Sequence, residues 1–306
     1  MQTKQEIIEQ IQVLKKQRNA VILVHNYQRE EVQDIADFVG DSLELSRKAA
    51  QTDADVIVFC GVHFMAETAA ILSPQKKVLL PDATSGCPMA SMLDAAKLRG
   101  LKKQYPGAVV VAYVNTTAEV KAESDLCCTS ANAETIVRSL KADTVLFVPD
   151  QYLGKYVASQ TGKHMVFHEG YCPVHMRLLP DYIREMKQLH PEAEVLVHPE
   201  SKPDATALAD KVLSTTGMCL YVQKSACREF IVGTEVGILH RMRKDNPGKL
   251  FYPVTELAVC ENMKKNSLDK VLASLREMKH EVKVEEHIRL RALNAITKML
   301  EFGRNS

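Results

Sequence analysis

The stretch Tyr105-Pro106-Gly107-Ala108-Val109-Val110-Val111-Ala112-Tyr113 decides how this chain folds, because its pattern returns 85 residues later as His190-Pro191-Glu192-Ala193-Glu194-Val195-Leu196-Val197-His198. Each copy reads as the end of a helix, a proline break and an apolar run suited to a buried strand. A shift of 88 residues lays Ala20-Val21-Ile22-Leu23-Val24-His25 over Ala108 to Tyr113, which makes a first copy. The same shifts hold downstream. A second apolar run is Val56-Ile57-Val58-Phe59, then Thr144-Val145-Leu146-Phe147, then Glu229-Phe230-Ile231-Val232. A third lies near Val78-Leu79-Leu80, Met165-Val166-Phe167 and Leu250-Phe251-Tyr252. Helical stretches such as Ser42 to Ala50 and Asn132 to Leu140 separate them, and alternation of strand and helix predicts parallel α/β sheets with helices on both faces. Such a repeat is either three independent domains side by side or three units facing one centre.

Polar residues at matched positions favour a shared centre, since ligands of open α/β sheets gather beyond the carboxyl ends of the strands. The first strand of each copy ends at His25, Tyr113 or His198, and two residues later stand Tyr27, Asn115 and Glu200. Ser42, Ser130 and Thr215 follow at the start of the next helix, where a hydroxyl caps orphan amides, binds an anion, or both. Asp41 with Glu44 resembles a capping box.

Eight cysteines occur, and Cys87, Cys172 and Cys260 follow the third strand of their copies at intervals of 85 and 88. Cys60 and Cys219 sit among apolar residues and read as small buried hydrophobes. Cys127-Cys128 precede a helix whose dipole would lower a thiol pKa, and they stay ambiguous with Cys227. Three thiolates from three loops suit zinc, with His175 as a fourth ligand, or an iron–sulfur cluster with one iron open to substrate. Without C-x-x-C spacing the sequence does not choose between them.

A formal net charge of +1 gives no general attraction for nucleic acid. The Lys102-Lys103 and Lys264-Lys265 pairs read as solvated helix faces. No run of about 18 apolar residues offers a membrane span. Met1 to Lys16 carries Ile7, Ile8, Ile11 and Leu14 at helical spacing, so an amphipathic helix is expected there and no secretory signal. The expected compartment is the cytosol, where thiols stay reduced.

The motifs His25-Asn26-Tyr27-Gln28, Gly40-Asp41-Ser42-Leu43-Glu44-Leu45-Ser46, Phe64-Met65-Ala66-Glu67-Thr68, Gly86-Cys87-Pro88-Met89-Ala90, Tyr113-Val114-Asn115, Thr129-Ser130-Ala131-Asn132-Ala133, Cys172-Pro173-Val174-His175 and His198-Pro199-Glu200 together resemble the quinolinate synthase family through nearly the whole chain. That resemblance implies three similar αβα domains with short parallel sheets, in pseudo-threefold arrangement around a central active site. The units would be 1–88, 89–173 and 174–264, with a C-terminal helix at 265–306 packing back on the first. It implies one 4Fe–4S cluster per chain, held by Cys87, Cys172 and Cys260, and so prefers iron to zinc. The family condenses iminoaspartate with dihydroxyacetone phosphate to quinolinate, with loss of phosphate and two waters, on the way to NAD. Carried over by residue, Tyr27, Glu200 and His198 handle protons. His25, Tyr113, Asn115 and His175, together with His198 and Glu200, orient substrate, while Ser42, Ser130 and Thr215 receive its carboxylates or phosphate. An aspartate oxidase or dehydrogenase would supply iminoaspartate, which is unstable in water. The extra cysteine pair proposed for redox control in some relatives has no clear counterpart.

Two other classes compete on the residues alone. One is a non-catalytic iron–sulfur protein, although electron carriers usually complete the cluster with a fourth thiolate. The other is a zinc-dependent hydrolase built on Cys172 and His175.

Overall fold

The computed structural model describes residues 2–302, so Met1 and the last four positions of the expected C-terminal helix lie outside the described residues. In chain order the first sheet holds β1 (Ala20–His25), β2 (Phe38–Gly40), β3 (Val56–Cys60) and β4 (Lys77–Leu79). The second holds β5 (Val109–Tyr113), β6 (Leu126–Cys128), β7 (Thr144–Val148) and β8 (His164–Phe167), and the third holds β9 (Glu194–Val197), β10 (Lys211–Val212), β11 (Glu229–Gly233) and β12 (Leu250–Pro253). The spatial orders are β2-β1-β3-β4, β6-β5-β7-β8 and β10-β9-β11-β12, with every pair parallel. The fold is therefore α/β with three similar αβα units. All four strands of each sheet fall within one of the intervals 1–88, 89–173 and 174–264.

Strand composition explains the parallel pairing. Val56-Ile57-Val58-Phe59-Cys60 is buried at every position, as a strand covered by helices on both faces requires. The three strands per copy read from apolar runs correspond to β1, β3 and β4 and their repeats. The fourth strand escapes such reading because β2, β6 and β10 are edge segments of two or three residues, too short to show a period. One device, repeated in each unit, holds these edges. Asp37, Asp125 and Asp210 each accept, at 2.8 Å, the backbone N–H of Ile22, Val110 or Val195 on the neighbouring strand. Each aspartate returns its own amide to the carbonyl of that same residue.

The N-terminal helix Lys4–Gln17 is capped by Thr3, whose hydroxyl and Glu6 close a capping box, and Ile7 and Ile11 bury its inner face. It packs on the helix Leu268–Glu277, whose Leu268, Val271, Leu272 and Leu275 share a buried apolar cluster with Ile22, Val24, Val56 and Val58. The helix expected over 265–306 is nevertheless two helices. Met278 and His280 take left-handed φ angles of 51° and 59°, which ends the first one. The second, Glu286–Glu301, lies mainly on the helix Ala118–Ala122 and on β6 of the second unit. Arg47 of the first unit donates to the carbonyl of Phe302 at 2.6 Å, and Asn132 of the second donates to that of Met299 at 3.1 Å. One continuous apolar cluster includes Leu23, Val111, Leu196 and Val232, so the three sheets share a core and are not independent domains.

Candidate active site

The carboxyl ends of the strands from all three units converge on one cavity of about 240 Å³. Every residue singled out as a candidate from the repeat or the family resemblance lines it: His25, Tyr27, Ser42, Cys87, Tyr113, Asn115, Ser130, Cys172, His175, His198, Glu200, Thr215 and Cys260.

The three cysteines have one local structure written three times. Each stands three residues before a 3-10 turn, at Ala90–Met92, His175–Arg177 and Met263–Lys265. Its carbonyl accepts the amide four residues on, from Ser91, Met176 or Lys264, at 3.2–3.3 Å. That turn aims backbone amides at sulfur. Burial pushes the Cys87 thiol up to about 12 and those of Cys172 and Cys260 upward as well. The N–H groups of Ala90 and Met89, of His175, and of Met263 and Asn262 oppose this by bonding the respective sulfurs. Thiols so placed, near enough to raise one another's pKa, are suited to sharing a positive partner that takes up their negative charge. The donor set therefore fits a sulfur-ligated cluster. Cys172, His175 and Glu200 also place one ligand atom each within 4.8 Å of one another, a group able to hold a single metal ion.

The other cysteines stand apart. All eight are free thiols, and Cys60 and Cys219 are buried as expected. Cys127 and Cys128, which the sequence leaves ambiguous, are the last two residues of β6 and are wholly buried, and burial pushes Cys127 to about 12 and Cys128 well above its ordinary value. Cys227 donates weakly to the carbonyl of Glu229 and does not line the cavity.

Polar side chains cross the boundaries between units. Tyr113 donates to Oε1 of Glu200. Oε2 of Glu200 lies 2.9 Å from Nδ1 of His175, out of line for a hydrogen bond. Nε2 of His175 is 2.9 Å from Oγ1 of Thr234, which is 2.5 Å from the hydroxyl of Tyr27. These contacts join the ends of β5, β9, β11 and β1 into one buried polar chain. Burial pushes the Glu200 carboxyl up, but the electrostatic influence of His175 and then His198, with the hydrogen bond from Tyr113, outweighs it and holds it at about 2. Burial, then the charge of Glu200, pushes both tyrosines well above their ordinary value, so they stay protonated.

Burial brings His25 to about 4 and His198 to about 3, so both rings are neutral at pH 7. The repeat also sets their tautomer. Nδ1 of His25 accepts the amide of Tyr27 at 3.2 Å and Nδ1 of His198 accepts that of Glu200 at 3.4 Å, leaving the proton on Nε2 in both. His198 spends it on Oγ of Ser130 at 3.2 Å.

The capping reading of the hydroxyls needs correction. Asp41 and Ser214, one residue earlier, cap the helices Ser42–Gln51 and Thr215–Lys224, because an N-cap side chain must come from the residue before the first helical one. Ser42 and Thr215 occupy the first helical position. The expected capping box is half formed: Asp41 accepts from Leu43 and Glu44, whereas Oε2 of Glu44 accepts from Thr216 at 2.7 Å in the third unit. Oδ1 of Asn115 is buried without a hydrogen-bond partner, as a group awaiting a ligand would be.

Sequence reading missed Thr234 and Glu235. They follow the end of β11, and their partners Tyr27 and Cys260 lie 207 and 25 positions away, beyond the reach of a local motif. Glu235 accepts the amide of Cys260 at 3.1 Å and pairs with Lys264 at 2.9 Å, which ties the third cysteine loop to β11.

Comparison with known proteins agrees with this geometry. The model of the family described as quinolinate synthetase A protein matches residues 9–301. A quinolinate synthase of Dehalococcoides mccartyi is 60% identical over 295 residues, covering 96% of this chain and 98% of the relative. Quinolinate synthase 1 of Methanosarcina acetivorans is 55% identical over 295 residues, 96% of this chain and 97% of the relative. A quinolinate synthase of Geobacter sp. (strain M21) is 51% identical over 303 residues, 99% of this chain and all of the relative.

Proposed function

Because the chain belongs to the quinolinate synthetase A family, we propose that it is a quinolinate synthase of NAD biosynthesis, condensing iminoaspartate with dihydroxyacetone phosphate to quinolinate, phosphate and two waters. The observation that carries this reading is the placement of one thiol per unit around a cavity that also holds an ionised carboxylate, two neutral imidazoles and two protonated tyrosines.

Cys87, Cys172 and Cys260 would hold a 4Fe–4S cluster, which when bound supplies Lewis acidity at an iron without a protein thiolate. The chain's own groups divide the remaining work. Glu200, ionised between Tyr113 and His175, is the base that takes a carbon-bound proton at its carboxylate. Tyr27, protonated and bonded to Thr234, is the acid that delivers one to a departing oxygen. His198 holds Ser130 in place and, with Glu200, stands at the end of β9 where protons move. His25 presents Nε2–H to substrate as a neutral donor, and Asn115 offers its unpaired Oδ1. Ser42, Ser130 and Thr215 receive carboxylate or phosphate oxygens. His175 orients the Glu200 carboxylate that Tyr113 also grips.

Anaerobic incubation of the purified protein with iminoaspartate and dihydroxyacetone phosphate should yield quinolinate, and none formed by iron-loaded protein would end the proposal. The Cys172, His175 and Glu200 group favours a second reading, a mononuclear metal enzyme. Metal analysis separates them: about four irons with sulfide per chain supports the cluster, and one zinc without sulfide supports the alternative.

A further inference from the structure

Asn26 belongs to one of the recognisable motifs, yet its side chain is fully buried and does not line the cavity. It reaches from the end of β1 into the third unit. Its Oδ1 accepts from Nη1 of Arg241, on the helix Ile238–Asp245, at 2.8 Å. A guanidinium has no acceptor, so this contact fixes the amide with oxygen toward Arg241 and nitrogen away from it. Asp245, one turn along the same helix, lies 3.5 Å from Nε of Arg241 and steadies the guanidinium.

The orientation of Asn26 has consequences for two threonines. Its Nδ2 is 2.9 Å from Oγ1 of Thr215 and 3.4 Å from Oγ1 of Thr216, and an amide nitrogen only donates. Thr216 Oγ1 also accepts the backbone N–H of Asp41 at 3.2 Å and gives its own proton to Oε2 of Glu44. Its capacity is used within the protein. Thr215 accepts from Asn26 in the same way, but its proton has no acceptor among the described residues and the side chain faces the cavity.

We infer that Arg241 and Asn26 are positioning residues that set the polarity of Thr215, making its hydroxyl a donor to an anionic oxygen of the substrate, carboxylate or phosphate. This rests on the proposed function for the presence of an anionic substrate. Arg241 acts at one remove: it touches neither substrate nor Thr215, and it forces the amide that forces the hydroxyl.

Asn26→Asp tests the idea because it keeps size and shape and keeps a partner for Arg241. Both of its oxygens accept, so Thr215 must donate to it and turn lone pairs toward the cavity. Calorimetry on anaerobically purified protein would measure Kd for quinolinate and for inorganic phosphate, with kcat and KM measured beside it. N26D should weaken one of these anions ~10–100-fold, the scale of a charge-assisted hydrogen bond turned repulsive, with the loss in KM more than in kcat. The anion affected identifies the group that Thr215 meets. N26D made in a Thr215→Val background should add little further loss. Arg241→Lys, also a pure donor, should keep affinity within a few-fold, whereas Arg241→Met, which leaves the amide free to turn over, should lose it. Unchanged affinity for both anions in N26D would overturn the inference. So would an equal loss with and without the Thr215 hydroxyl, which would mark a simple charge effect. Wild-type protein that binds neither anion and makes no quinolinate would overturn the proposed function and this inference with it.

Discussion

The hydroxyl of Tyr113, at the end of β5, donates to Oε1 of Glu200, beyond the end of β9, so an acid–base candidate of the third unit is held by a phenol of the second. Tyr27 of the first unit reaches the same third unit through Thr234. The site therefore exists only when all three units are packed together, which makes its residues separable from those that stabilise a single sheet.

Tyr27→Phe and Glu200→Gln should fold and retain iron, yet each should lose roughly 10²–10⁴-fold in turnover, the usual contribution of a general acid or base. Anaerobic steady-state kinetics would show it. A variant with near-normal kcat would remove its residue from the proton-transfer scheme.

Ser42→Ala and Thr215→Ala should weaken substrate binding with little change in melting temperature, because neither side chain caps its helix. Asp41→Ala and Ser214→Ala should behave in the opposite sense on stability, each costing about 1 kcal/mol as lost caps do. Ser130→Ala should affect binding too, since Ser130 accepts the Nε2–H of His198 at the cavity wall. Thermal melts beside substrate titrations decide the matter, and hydroxyl variants that melt early but bind normally would restore the capping role.

Ala or Ser at Cys87, Cys172 or Cys260 should abolish the bound cluster and activity, because two thiolates from separate loops do not retain four irons against solvent and oxygen. Replacement of Cys60, Cys127, Cys128, Cys219 or Cys227 should leave iron near four per chain, at a packing cost on the order of 1 kcal/mol where the thiol is buried. Iron and sulfide would be counted on anaerobically purified single variants. A retained cluster in any of the first three would undo the proposed ligand set.

Acid sensitivity offers a test away from the cavity. Burial pushes the Asp82 carboxyl up, but the hydrogen bond from Lys270 and those from Thr84 overcome this and hold it at about 2. A carboxylate depressed on folding contributes stability above its unfolded value of ~3.9, and that contribution drains away as pH falls through the folded value. Lys270→Met should therefore be less stable than wild type at pH 7, with the gap closing between pH ~4 and ~2. Denaturant melts at pH 7, 4 and 2.5 would follow it, and a gap that did not change with pH would show that Lys270 acts by some other route.

Local pattern and repetition determined a good deal of this protein. Apolar runs at intervals of 85 and 88 announced the central strands of three parallel sheets, and polar residues at their ends announced a shared cavity, because strand formation and strand-end placement follow from near-neighbour sequence. The family resemblance rested on the same short motifs. Other features depended on partners that periodicity does not connect. Asn26 reads as one more motif residue until Arg241, 215 positions away, fixes its amide. Thr234 joins Tyr27 to His175 across 207 and 59 positions. The tail divides between the first and second units because Met278 and His280 turn the chain, which no apolar period records. Hydrogen-bond polarity, charge pairing and burial are properties of groups brought together in space, so only the packing of the three units decided which hydroxyl donates, which carboxyl stays ionised and which thiols face one another.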